Sequence, residues 1–197
     1  MPAGFGASAN VCPTDQATVL CAIVSALRGN IPRLSSEMLC FVSDTPWPDV
    51  ETHDRLFCTV CPGSASFEAD SPVGGAQHGI VEVGRFIVTV WQKLDLDELE
   101  RAEESFLDGQ TGLLTLKSAV LKALAGRQMY SGGHPLLQEH LRPVNSIHPP
   151  SRQHEDGFSS FSLVFDGAFF WDLSERLKHD CYTHAHQRRI AQPDNLQ

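Results

Sequence analysis

Residues Ile80 to Leu94 read IVEVGRFIVTVWQKL, Asp95 to Asp108 read DLDELERAEESFLD, and Thr111 to Ala125 read TGLLTLKSAVLKALA, with Gly126 next. The first segment is rich in β-branched and aromatic side chains. Val81, Val83, Phe86, Val88 and Val90 mark it as one long strand, and the break in their alternation at Gly84 and Arg85 predicts a bulge there. The second segment sets seven acidic residues against the single Arg101. The third places Leu113, Leu116, Val120 and Leu124 on one helical face ahead of a glycine stop. A long strand, an acidic connector and an amphipathic helix thus follow one another, and none of them is a chemical motif.

Working outward, Thr14 is expected to cap a helix running to Arg28. Leu20, Ile23, Val24 and Leu27 form its apolar stripe and Gly29 its stop. Met38 to Val42 is a short apolar knot that fits either a helix turn or a strand. Arg55 to Cys61 (RLFCTVC) reads as a short strand ended by Pro62 and Gly63, and Pro62 to Gly79 as a long, turn-rich loop. Arg127 to Asp156 carries Gly132, Gly133, Pro135, Pro143, Pro149 and Pro150, with Leu141 to Ile147 as a short strand among them. Phe161, Leu163, Phe165, Phe169, Trp171 and Leu173 all fall on odd positions, the period of a half-buried strand or hairpin, and Asp166-Gly167 offers a turn in its middle. The expected fold is therefore α+β, an antiparallel sheet of about four strands packed against two main helices. Its expected organisation is a flexible stretch 1–13, a single domain 14–173 with a long loop 62–79, and a polar, His-rich tail 174–197.

A chain of 197 residues buries roughly 70% of its unfolded surface, enough for a core without metals or disulfides. The formal net charge is −9, and the Asp95 to Asp108 run accounts for about two-thirds of it. Such a surface disfavours tight DNA binding, and the basic residues are scattered apart from Arg188 and Arg189. The longest apolar stretch, Val19 to Leu27, is far short of the ~20 residues of a membrane span. MPAGFGASANVC at the amino terminus lacks a basic region and a continuous apolar core, so it is not read as a signal peptide, and assembly in the cytosol is expected.

Two clusters invite chemistry. Cys58 and Cys61 form a C-x-x-C, but inside a strand the two side chains point to opposite faces, and no second C-x-x-C follows. They are expected to be structural free thiols. His179, Cys181, His184 and His186 lie close together near the end, with a spacing that matches no derivable metal geometry. No G-x-S-x-G, H-E-x-x-H, Walker loop or G-x-G-x-x-G occurs. Neither catalytic residues nor a cofactor nor a resident metal is expected.

The order of elements resembles the tail terminator or tail-completion proteins of tailed bacteriophages and phage-like particles. The resemblance runs over roughly residues 14 to 173 and is carried by the amino-terminal helix, FCTVCPG, the long loop, GRFIVTVWQKL, the acidic connector, GLLTLKSAVLKAL and FSLVFDGAFFWDL. The Cys/His content, the Pro-rich segment and the tail depart from that pattern. The resemblance implies a homohexameric ring at the head-tail neck of a virion, capping the tail tube and meeting the head connector. It further implies three partners besides the ring itself: the tail tube protein, a head-tail connector or head-completion protein, and double-stranded DNA that passes without specific binding. Phe67, Glu68, Asp70, Val88 and Val90 are the expected assembly interface, and Asp95, Asp97, Glu98, Glu100, Glu103 and Glu104 an acidic channel or docking cluster. A head-completion or connector-adaptor protein of the same neck is the alternative, and a Cys/His metal-binding protein a more distant one.

Overall fold

The computed structural model describes residues 15–35, 39–46, 56–68, 79–93, 112–147 and 158–172. Helix α1 spans Gln16–Asn30, and a single 3-10 turn follows at Pro32–Leu34. The strands are β1 (Cys40–Val42), β2 (Leu56–Glu68) and β3 (Gly79–Lys93). Helix α2 (Leu113–Leu124) comes next, then the paired dipeptides β4 (Tyr130–Ser131) and β5 (His134–Pro135), then β6 (Arg142–Ile147) and β7 (Phe158–Asp172).

Five strands make one sheet in the order β1-β2-β3-β7-β6, and β4-β5 form a separate two-stranded one. The architecture is α+β, but the sheet is mixed and larger than the four antiparallel strands expected: β1 runs parallel to β2, with Cys40 opposite Cys58. The apolar knot around Met38 to Val42 supplies that extra strand. Three residues carry no readable alternation, so only the long-range pairing reveals its type.

Asp15 caps α1, its carboxylate accepting from the Thr18 amide at 2.7 Å. The cap thus falls one residue after the Thr14 expected, on a side chain whose negative charge also suits the helix amino terminus. Gly29 does not end the helix. The stop comes at Ile31, extended at φ −123° and ψ 97°, because the following Pro32 disfavours helical geometry in the residue before it. Val19, Leu20, Ile23, Val24 and Leu27 are buried from α1, and Leu113, Leu116, Val120, Ala123 and Leu124 from α2. Both stripes lie on the same side of the sheet, over Cys58, Val60, Phe86, Val88, Val90, Phe161, Leu163, Phe165 and Phe169. Gly132 and Gly133 both have positive φ, the geometry of a two-residue turn between β4 and β5. Beyond that turn Leu136, Leu137 and Leu141 enter the core.

Three expectations about the strands change. First, β3 has no bulge. It pairs with β7 without interruption from Gly79↔Asp172 to Lys93↔Phe158. The offset at Gly84 and Arg85 arises because β3 is apolar on both faces: Phe86, Val88 and Val90 meet the helices, and Val81 and Trp91 are buried on the far side. Second, Asp166-Gly167 is no turn, since β7 is continuous through it. Third, Pro62-Gly63 does not end β2. The register shifts between Pro62↔Phe86 and Ala65↔Gly84, so Pro62 to Ala65 absorbs one extra residue as a bulge and the strand continues to Glu68. Much of the expected loop 62–79 is therefore strand, and its remaining part, 69–78, lies outside the described residues, as do the stretch 1–13 and the tail 174–197.

Gly63 is the residue that makes the bulge fit, because a Cβ placed there would stand 2.9 Å from the Arg85 Cβ. Gly63→Ala is expected to lower stability by about 1–3 kcal/mol, through overpacking against backbone-fixed atoms. A urea titration followed by circular dichroism checks this, and an unchanged midpoint would contradict it.

Candidate assembly surface

The described part of the expected interface splits into two groups. Val88 and Val90 are fully buried beneath the helices and cannot meet a neighbour. This corrects the sequence reading: β3 is the middle strand, paired on both edges by β2 and β7, and its length is close to that of its two neighbours. Phe67 is 61% exposed and Glu68 half-buried, both on the distal half of β2 beyond the bulge. Asp70, the acidic residues from Asp95 to Glu104, and His179, Cys181, His184 and His186 lie outside the described residues.

Around Phe67 the sheet narrows to β2, β3 and β7. Phe67 stands opposite Glu82, and Glu82 opposite Phe169. The Glu82 carboxylate is buried and accepts the Trp171 indole N–H at 2.6 Å, which satisfies a charge that would otherwise be costly there. Ser64, Ala65 and Ser66 beside Phe67 are small and exposed. The result is a strand end presenting one large aromatic ring on a small-residue track, over a pinned carboxylate. Arg85, Asp166 and Arg142 form a row across β3, β7 and β6, with Arg85 Nε 3.1 Å and Arg142 Nη2 3.8 Å from the Asp166 carboxylate. On a surface such a row contributes little stability and mainly fixes register.

Part of the sheet face turned away from the helices is also buried. Thr59, Thr89 and Ser162 line up across β2, β3 and β7, Thr89 Oγ1 lies 2.8 Å from Ser162 Oγ, and Thr59 Oγ1 donates to the Pro46 carbonyl at 3.1 Å. Next to this row Phe57 stacks on Trp91, centroids 5.5 Å apart, with Phe41 stacked on its other flank and Phe158 edge-on. The row is polar, made of hydroxyl side chains with no base among them.

The cysteines separate by face. Cys58 points into the core and Cys61 to the opposite side, as strand alternation dictates, so they do not face each other. Burial, with a smaller contribution from the charge of Asp44, pushes the Cys61 thiol up to about 11. What the sequence did not disclose is that Cys40 and Cys58 are direct register partners, because that contact exists only through the parallel pairing of β1. No group of three or more His, Cys, Asp or Glu suited to a metal occurs among the described residues, and no described helix is long and apolar enough to cross a membrane.

No protein-family model matches the chain, and neither does the sequence of any curated protein. Its fold is similar to that of the sheath/tube terminator of an extracellular contractile injection system, PVC, in the extended state. The TM-score is 0.53 at 16% identity, over 83% of this chain and 58% of that one. The chain thus spans a little over half the length of that terminator. A chain of the virion of a native gene transfer agent particle aligns at TM-score 0.46 and 17% identity, over 79% of this chain and 99% of the other. The terminator likeness is one of fold.

With its pKa near 11, Cys61 is neutral at pH 8 and enclosed, so it should resist an aromatic disulfide reagent in the native protein while exposed Cys21 reacts. Peptide mapping after a brief exposure checks this, and prompt labelling of Cys61 would contradict the burial.

Proposed function

We propose that this protein is a non-enzymatic structural component of a phage-like tail, a terminator that closes the tail tube. The single observation that carries the reading is the fold shared with a sheath/tube terminator over 83% of the chain. In this reading the protein forms a ring, a homohexamer, at the head-tail neck of a virion assembled in the host cytoplasm. One face of the ring meets the tail tube protein and the other the head connector or head-completion protein. The domain organisation proposed with it is a single folded unit, 14–173, between a flexible amino-terminal stretch and a polar tail.

A closed ring needs a heterologous interface, in which one patch of each subunit meets a different patch of the next. Phe67 and Glu68 are the proposed core of one such patch, since a protruding aromatic ring gives much contact area at low entropic cost. Asp95, Asp97, Glu98, Glu100, Glu103 and Glu104 are proposed to face the channel, where they repel phosphates and let DNA pass without being held.

Phe67→Asp should leave a folded monomer and weaken ring formation at least tenfold. Solution mass measured with and without the tail tube protein, alongside circular dichroism, tests it. A variant that still assembles at wild-type concentration overturns the role given to Phe67. Replacing the six acidic residues by Asn or Gln should raise retention of non-specific duplex DNA, and the retention should fall steeply with salt. Unchanged retention at low salt removes the channel assignment.

A further inference from the structure

The pair Cys40 and Cys58 is not used by the proposed assembly, and the fold sets it up for a covalent reaction. The two residues are register partners in neighbouring parallel strands, both are fully buried, and both belong to the core cluster beneath α1. Paired strands stand ~4.8 Å apart, within the ~4.4–6.8 Å between Cα atoms that a disulfide spans. Cys61, the other cysteine of β2, is excluded by facing the other way. We propose that Cys40 and Cys58 form a disulfide-forming site, closed by thiol–disulfide exchange with a small-molecule disulfide, which pins the short edge strand β1 to β2.

The surroundings favour Cys40 as the attacking thiol. A hydrogen bond with the Cys58 thiol lowers the Cys40 pKa against the effect of burial, and the positive charge of Arg28 lowers it further. The Arg28 guanidinium also donates to the Cys40 carbonyl, so it is held at this spot. The Cys58 thiol is raised by the same hydrogen bond and by burial, which leaves it the protonated partner. Access comes through β1. It is three residues long, pairs on one side with β2, and is an element that opens at lower free energy than the sheet centre.

The exchange balances in two steps. Cys40 gives its proton to solvent and its thiolate attacks one sulfur of the small disulfide. That S–S bond breaks, a mixed disulfide forms on Cys40, and one small thiolate leaves. Cys58 then loses its proton and its thiolate attacks the Cys40 sulfur. The protein S–S bond forms and the second small thiolate leaves. Both small thiolates regain protons from solvent. Two protein thiols are thus oxidised and one small disulfide is reduced to two thiols.

The test uses the full chain and oxidised glutathione, at urea concentrations below the unfolding transition. After quenching with N-ethylmaleimide and digesting without reductant, the expected product is the Cys40 peptide joined to the Cys58 peptide, lighter by two hydrogens than the reduced pair. Its rate of formation should rise with urea as β1 opens, and the oxidised protein should unfold at higher urea than the reduced one. Cys58→Ala should halt the reaction at a glutathione adduct on Cys40, and Cys61→Ala should leave the cross-link intact. Where Cys58→Ala does not fold, Cys58→Ser serves the same purpose. Recovery of Cys40 and Cys58 as maleimide adducts, or a cross-link from either one to a different cysteine, would overturn the proposal.

Discussion

Gly84 and Gly167 stand opposite each other in β3 and β7, and the space left by their missing side chains is filled from the core. A Cβ at Gly84 would come within 3.0 Å of the Phe169 ring, and one at Gly167 within 3.1 Å of Leu141 and 3.3 Å of Leu137 and Phe86. Phe86 and Phe169 therefore lie close to the sheet at this row, and the leucines after the β4-β5 turn pack directly over it. Much else follows from that fit. The segment carrying Leu136, Leu137 and Leu141 is held down by it, β6 starts from there, and β7 passes through Asp166-Gly167 without turning. A glycine present for its absent volume looks the same in sequence as one present for a turn.

The second constraint is that β3 and its neighbours are buried on both faces. An antiparallel sheet with one wet face alternates apolar and polar residues, whereas β3 carries valines on either side of an offset at Gly84. That offset looked like a bulge. The true bulge lies across from it, in β2, where Pro62-Gly63 looked like a terminator. In both places a local irregularity takes its meaning from the strand opposite, because register is a property of two strands and the sequence displays one at a time.

The helices were legible for the opposite reason. Their stripes, Leu20 to Leu27 and Leu113 to Leu124, need no partner to be recognised, and the structure buries the residues that the spacing marked, with only the ends moved by a residue or two. The site was less legible. Phe67 is an aromatic ring among small, polar neighbours, and the structure leaves it exposed. Val88 and Val90 lie on a long strand, and a long strand in the middle of a sheet has the same sequence pattern as one at its edge. The Cys40–Cys58 partnership had no local signal, since it depends on a parallel strand of three residues.

Edges finally bear on where the proposed interface lies. Exposed strand edges pair readily with foreign strands, and proteins blunt them with proline, charge, bulges or brevity. The outer strand β6 carries Arg142 and Pro143 and shifts register between Pro143 and Asn145, while β1 at the other side is only three residues long. Pairing with β1 covers β2 at Cys58 to Val60 and not beyond. Among the described residues this leaves Ser64 to Phe67, past the bulge, as exposed strand without charge or proline. The proposed interface at Phe67 thus coincides with a stretch of strand that no other described strand pairs on its outer side. An exposed apolar ring on such a stretch is a feature that favours association over a free surface, which is the reason the proposed interface is placed there.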